Sequence, residues 1–341
     1  MTLARIPLRS GLMTFRVGIA LSSGGAAGVA HIGVIEELLR AGIQVQCVAG
    51  TSAGAMVGGA FAAGRLDELR ERVLLSTRRR RTALFDPVWP RNGLLGGRRA
   101  MALLGSCGEE NIEDLPVSFA ALATDLDSGR RVAVRNGSLR DAVRASIAIP
   151  GVFSPVCHRG RLLVDGALTD PVPVGPTREL GATFVIASSV IGSAETALTT
   201  RCFAERTPST VRRLVARALG SVGVGTRAVC TKPLEALLAD ADGTAAVRTD
   251  GLSDILFKAS AVVQTTIAAV RLRDEPPDFL IAPAAYDIGL FELHRAAEAI
   301  EAGRAAVREA LPELLEVLAE ARARSQPFRW WPASAGPAVA A

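Results

Sequence analysis

Ser52 lies at the centre of the sequence GTSAG, between an apolar run and a helix-like stretch. The apolar run is Val45–Ala49, and the helix-like stretch is Ala55–Ala63. A strand, a tight turn and a helix in this order lift a serine hydroxyl clear of a sheet, and glycine fits where a side chain would clash. The pattern predicts Ser52 as a nucleophile in an elbow formed with Gly50 and Gly54.

A serine nucleophile needs hydrogen-bond donors for the oxyanion that develops on its substrate. The glycine-rich loop Ser23–Gly28 follows the apolar run Val17–Leu21 and precedes a helix predicted over Val29–Ala41. Backbone N–H groups at a helix start can bind an anion, so we expect an oxyanion hole here. The alternative is a dinucleotide phosphate loop, but the full GxGxxG pattern is absent. The expected donors are Gly24, Gly25, Ala26 and Gly28.

The nucleophile also needs a base, and the chain has only three histidines, His31, His158 and His294. His294 would complete the Ser, Asp, His order of α/β-hydrolases. That fold places several strands before its nucleophile, whereas a single βα unit precedes Ser52. We therefore expect packing or capping roles for His294 and a structural role for His31.

Asp165 is the candidate base that remains. It follows the apolar run Leu162–Val164, and Gly166 permits a tight turn beside it. If this strand neighbours Ser52, the carboxylate can accept the serine proton directly. Partial burial would raise its pKa and make it a better base near neutral pH.

The elements that must position these residues alternate between strand and helix. This order predicts an α/β fold, a single domain whose central, mainly parallel sheet is sandwiched by helices. Further strands are predicted over Ser118–Ala123, Arg131–Val134, Leu162–Val164, Phe184–Val190 and Phe279–Ile281. Helices are predicted over Leu139–Ser146 and Leu293–Ala323, the latter interrupted near Pro312, with a loop region at Arg78–Arg81 and Trp89.

Composition narrows the class of protein. With 341 residues, 49% of them hydrophobic, the chain can bury a substantial core. The net charge is +5, but one tyrosine and 4% aromatic residues leave few stacking platforms, so nucleic acid is not an expected partner. Five cysteines without CxxC spacing indicate neither a disulfide framework nor a zinc site, so we expect a cytoplasmic protein.

Five motifs in order give the chain a resemblance to a known family. It resembles bacterial patatin-like phospholipases, on the branch related to the catalytic domain of neuropathy target esterase (NTE), from about Arg16 to Leu315. The motifs are GTSAGA at 50–55, IEDLPVSFAALATDL at 112–126, RASIAIPGVFSPV at 144–156, LVDGALTDPVPV at 163–174 and DIGLFELHRAAEAIEAG at 287–303.

The resemblance implies a Ser-Asp dyad, carried here by Ser52 and Asp165, and an oxyanion hole from the glycine loop. It also implies hydrolysis of acyl esters, typically phospholipids or lysophospholipids, without metal or organic cofactor. The family usually reads GGGxRG in this loop, whereas this chain has Ser23 at the first glycine and Ala27 at the arginine position. Loss of that arginine would lower the rate or alter the accepted acyl donor.

The domain organisation expected from these patterns is one acyl hydrolase domain over residues 16–315, after an N-terminal extension at 1–15. Residues 193–250 match no shared motif and are an atypical insert and a candidate lid, with a basic amphipathic helix near 209–219. Residues 316–341 are the end of the C-terminal helix and a tail expected to be disordered.

Three functions remain open from the sequence: a serine acyl hydrolase, an acyltransferase that passes the Ser52-bound acyl group to another acceptor, and a weakly catalytic lipid-binding regulator. The expected partner is a lipid or other acyl-ester substrate. The basic helix and Trp330 and Trp331 would allow peripheral contact with the inner membrane surface.

Overall fold

A computed structural model of the protein describes residues 15–79, 86, 93, 95–191 and 252–325. These residues form a mixed β-sheet with helices on both faces, which confirms the predicted α/β class. The strands are β1 (Val17–Leu21), β2 (Cys47–Thr51), β3 (Ser118–Asp125), β4 (Arg131–Val134), β5 (Val156–His158), β6 (Arg161–Asp165), β7 (Phe184–Ser188) and β8 (Phe279–Ile281). The helices are α1 (Ala30–Arg40), α2 (Ala53–Ala62), α3 (Leu66–Arg79), α4 (Arg98–Met101), α5 (Leu139–Ser146), α6 (Val174–Glu179), α7 (Leu252–Asp274) and α8 (Ala296–Ser325).

The parallel part of the sheet has the strand order β3-β2-β1-β7-β8. β1 therefore lies where the strand order reverses, and open α/β sheets bind ligands at this point, beyond the carboxyl ends of the strands. Successive residues of β1 pack into different layers, as a strand period of two requires. Ile19 and Leu21 join the core under α1, α2, α5 and α8, whereas Ala20 packs with residues of β7, α6 and α7.

The pairing of β3 with β2 and with β6 brings the ends of β2 and β6 together. Ala121 pairs with Gly50 of β2 and with Val134 of β4, while Ala123 pairs with Val132 of β4 and with Asp165 of β6. A strand residue has one neighbour on each edge, so β2 and β6 share the edge of β3 opposite to β4. β2 runs parallel to β3 and β6 runs antiparallel to it, so their carboxyl ends point at each other.

Two expectations about helices are wrong. Arg78 and Arg79 belong to α3, not to a loop, because Leu69 and Val73 pack into the core and extend the helix. α8 also continues through Pro312 without a break. Pro312 is exposed, so water can reach the carbonyl group that its missing N–H leaves unpaired.

Other expectations fall on parts of the chain that are not described. These are the N-terminal extension, Arg80, Arg81, Trp89, the insert with its amphipathic helix, and the tail with Trp330 and Trp331. The sequence patterns also did not predict α7 or the short strand β5.

α1 and α8 cross at two glycines. A Cβ atom added at Gly33 would overlap the carbonyl oxygen of Ile300, and one added at Gly303 would overlap that of Ala30. Each helix therefore presents a glycine to the backbone of the other. This close approach holds α8 against the helix that follows the glycine loop.

We expect Gly303→Ala to lower the free energy of unfolding by about 1–3 kcal/mol, because the added methyl group forces the two helices apart. The helix propensity of alanine favours the variant by only about 1 kcal/mol. Chemical denaturation measures the difference, with the exposed Glu313→Ala in the same helix as the control. A Gly303→Ala protein as stable as the wild type would contradict the close approach.

Candidate active site

Ser52 occupies a sharp turn between β2 and α2. Its φ of 55° and ψ of −117° lie in a region that non-glycine residues rarely adopt. A Cβ atom at Gly50 would overlap the carbonyl oxygen of Gly54, and one at Gly54 would overlap that of Leu21. Both elbow positions therefore have room for glycine alone.

The hydroxyl group of Ser52 meets the carboxylate of Asp165. Ser52 Oγ donates to Asp165 Oδ2 over 2.7 Å, and both residues are buried. The head-on arrangement of β2 and β6 explains the contact, because Ser52 directly follows β2 and Asp165 ends β6. Asp165 Oδ1 accepts from the backbone N–H of Ala167 at 2.8 Å, which fixes the orientation of the carboxylate.

Burial raises the pKa of Asp165 to about 6, although hydrogen bonds from Ala167 and Ser52 favour the carboxylate. A carboxylate with this pKa is ionised at neutral pH, yet it is a stronger base than an ordinary aspartate. The pair can therefore transfer a proton from Ser52 to Asp165 without a third residue.

None of the three histidines takes part in this pair. The ring of His31 is buried, its Nε2 donates to the carbonyl oxygen of Ser22 at 3.0 Å, and its Nδ1 accepts from Ser188 Oγ at 2.9 Å. The carbonyl can only accept, which assigns the proton to Nε2. Burial lowers the pKa of His31 to about 4, so the ring is neutral and joins the ends of β1 and β7. His158 lies in β5 and His294 in a 3₁₀ turn before α8.

The glycine loop begins at Ser23 and continues into a 3₁₀ helix at Gly25–Val29. Two backbone N–H groups at its start, those of Gly24 and Gly25, have no acceptor in the part of the chain that is described. Both residues have positive φ, 156° and 55°, where glycine is favoured. Their N–H groups are the free donors of the loop.

Two other expected donors are used differently. The N–H of Ala26 donates to the carbonyl oxygen of Leu290 at 3.0 Å, which removes it from the donors available to a substrate. Gly28 lies inside the 3₁₀ helix, where i→i+3 pairing uses the backbone N–H groups. A Cβ atom at Gly28 would contact that of Ala53 at 2.5 Å, so this glycine allows the loop to pack against the elbow. Ala27 is buried in the core.

Ser146, which the sequence interpretation missed, holds the elbow from α5. Its Oγ accepts from the backbone N–H of Ser52 at 2.8 Å and donates to the carbonyl oxygen of Leu122 at 2.5 Å. Two residues later, the carbonyl of Ala148 accepts from the backbone N–H of Asp165 at 2.9 Å. One short segment therefore fixes both members of the pair. The signal in the sequence is a serine on the apolar face of a helix, four residues after Ala142.

Threonines fix the backbone around the pair. Thr124 Oγ1 donates to the carbonyl oxygen of Asp165 at 2.9 Å, and Thr51 Oγ1 donates to that of Asp170 at 2.7 Å. Asp170 is fully buried and pairs with Arg131 at 2.7 Å. The chain after Asp165 is therefore tied to both β2 and β3.

Among the described residues, no group of three or more His, Cys, Asp or Glu side chains is arranged to hold a metal ion. None of the described helices combines the length and the apolar composition that crossing a membrane requires.

Comparisons with known proteins identify the family. The family described as patatin-like phospholipase matches residues 19–178. An uncharacterized NTE family protein of Mycobacterium tuberculosis is 35% identical over 328 residues, which cover 87% of this chain and 91% of the relative. The chain belongs to the NTE family of patatin-like phospholipases, and this membership supports a lipid hydrolase or esterase in general.

Two more distant matches are also found. A patatin-like phospholipase domain-containing protein of Caenorhabditis elegans is 34% identical over 194 residues, 53% of this chain and 14% of the relative. The crystal structure of VipD from Legionella pneumophila aligns over 91% of this chain and 80% of that chain, with 13% identity and a TM-score of 0.33. At that TM-score the alignment adds nothing to the fold assignment.

Burial of Asp165 predicts a specific dependence of stability on pH. The folded state holds a proton with a pKa of about 6, against 3.8 for an unperturbed aspartate, so stability falls as the pH rises from about 4 to about 6. The asparagine of Asp165→Asn cannot titrate, so over this pH range we expect the free energy of unfolding of this variant to fall by about 3 kcal/mol less than that of the wild type. Asp170, whose pKa burial raises to about 6, contributes equally to both proteins.

Chemical denaturation at several pH values measures the effect as the difference between the two proteins. The exposed Asp127→Asn is the matched control, and its curve should run parallel to that of the wild type. A parallel curve for Asp165→Asn would contradict the raised pKa.

Proposed function

We propose that this protein is a serine acyl hydrolase, a lysophospholipase or phospholipase A-like esterase that uses Ser52 and Asp165 as a catalytic dyad. The observation that carries the proposal is the 2.7 Å hydrogen bond from Ser52 Oγ to the buried Asp165 carboxylate. Membership of the NTE family supports an acyl ester of a lipid as the substrate class.

In the proposed reaction, Ser52 Oγ attacks the ester carbonyl carbon while its proton passes to Asp165 Oδ2. The backbone N–H groups of Gly24 and Gly25 stabilise the oxyanion, together with that of Ala53, which begins α2 and has no intrahelical acceptor. Collapse of the intermediate expels the alcohol, which takes the proton from Asp165. Water then attacks the acyl-enzyme by the same route, and the free acid leaves.

Hydrolysis of p-nitrophenyl esters of graded acyl length tests the proposal. We expect Ser52→Ala and Asp165→Asn each to lower kcat/KM by at least about 10³-fold, because both groups act in the same step. The wild-type kcat/KM should rise with pH through about 6 as Asp165 loses its proton. Ser128→Ala and Asp127→Asn, in an exposed turn, are the matched controls.

Two results would contradict this function. Unchanged turnover in Ser52→Ala would exclude Ser52 as the nucleophile. A wild-type protein that is inactive at every acyl length would exclude the esterase activity. Product analysis with added alcohol and amine acceptors separates hydrolysis from acyl transfer, since free acid alone is the product expected of a hydrolase.

Ser146 should affect turnover through the position of Ser52. We expect Ser146→Ala to lower kcat by about 10- to 100-fold, because the turn that carries the nucleophile loses its hydrogen-bond acceptor. Ser138→Ala is the matched control, since Ser138 Oγ caps the other end of α5 by accepting from Asp141. Each variant should lose about 1–2 kcal/mol of stability.

Steady-state kinetics and chemical denaturation measure the two effects on the same preparations. Equal kcat values for Ser146→Ala and Ser138→Ala would remove Ser146 from the positioning of Ser52.

A further inference from the structure

Ser23, which replaces the first glycine of the family pattern, has a specific side-chain partner. Its backbone N–H donates to the carbonyl oxygen of Pro171 at 2.9 Å, and its Oγ donates to Gln264 Oε1 at 2.9 Å. Ser23 is buried and directly precedes Gly24, the first free donor of the loop. The hydroxyl group therefore links the glycine loop to a distant helix.

Gln264 lies on α7, which begins just after the undescribed insert. Its Nε2 donates to Ser260 Oγ at 3.1 Å, one turn earlier, so its Oε1 faces Ser23. Gln264, Ala268 and Arg271 follow the spacing i, i+4, i+7 and share one face of the helix. Val262, Val263 and Val270 on the other face are exposed.

The same helix face reaches the loop that follows Asp165. Arg271 Nε donates to the carbonyl oxygen of Thr169 at 2.9 Å. Thr169 Oγ1 lies 2.9 Å from Thr124 Oγ1, whose own proton goes to the carbonyl oxygen of Asp165. α7 is thus hydrogen-bonded to the loop that carries the candidate oxyanion donors and to the loop that follows the candidate base.

We propose that Gln264 is a positioning residue, which holds the glycine loop in place for oxyanion stabilisation through its hydrogen bond with Ser23. This inference rests on the proposed acyl hydrolase function. Gly24 and Gly25 have positive φ and no side chains to anchor them, so the loop needs a fixed point at its start. The Ser23–Gln264 bond adds a side-chain anchor to the backbone hydrogen bond with Pro171, and a glycine at position 23 could not form it.

A double-mutant cycle tests the link. We expect Ser23→Ala and Gln264→Ala each to lower kcat about tenfold, with KM within about twofold, because the transition state depends on the oxyanion donors more than the bound substrate does. The kcat of the double variant should equal that of the less active single variant, since both changes break the same hydrogen bond. Gln264→Glu keeps an acceptor oxygen and should retain most of kcat.

The control for this cycle is Thr266→Ala, an exposed position on α7 whose hydroxyl donates to the carbonyl oxygen of Val262 in its own helix and to no other described residue. It should keep the wild-type kcat. Effects of Ser23→Ala and Gln264→Ala that add in the double variant, or a kcat unchanged in either, would overturn the proposal.

Hydrogen exchange of the resting enzyme separates this proposal from the function on which it rests. Peptides that span 23–28 should exchange faster in Gln264→Ala than in Thr266→Ala, whether or not an ester is turned over. An inactive wild type with this faster exchange would contradict the hydrolase and retain the link. Equal exchange in the two variants would overturn the link, whatever the activity.

Discussion

The site depends on the meeting of two strand ends at the same edge of β3. β2 ends at Thr51 beside Leu122, and β6 ends at Asp165 beside Ala123. Because the two strands approach from opposite directions, the residue after β2 and the last residue of β6 are brought into contact. The Ser52–Asp165 hydrogen bond follows from this register, and a slip of one residue in either pairing would separate the two side chains.

Two features of this contact lower the stability of the folded protein. Ser52 has a backbone conformation that is unfavourable for a side chain, and Asp165 is ionised in a buried environment. Fixed hydrogen bonds compensate for both, since Ser146 accepts from the Ser52 backbone and Ala167 donates to the Asp165 carboxylate. Strain of this kind is typical of sites whose geometry serves a reaction.

Local patterns in the sequence predicted the elements of the site but not their connections. The GTSAG turn and the apolar strand before Asp165 are local signals, and the structure has a turn and a strand at those places. The use of the Ala26 N–H by Leu290 and the link from Ser23 to Gln264 join segments far apart in the chain, so no local pattern contains them. The interruption predicted near Pro312 was wrong because a proline on the exposed face of a helix leaves its unpaired carbonyl open to water, and the sequence does not show which face is exposed.

Labelling by a fluorophosphonate probe, followed by intact-protein mass spectrometry and peptide mapping, tests most directly whether Asp165 activates Ser52. The proposed dyad predicts one adduct per chain, located on Ser52, and a labelling rate at least about 100-fold lower in Asp165→Asn. Labelling of another residue, or an equal rate in Asp165→Asn, would contradict it.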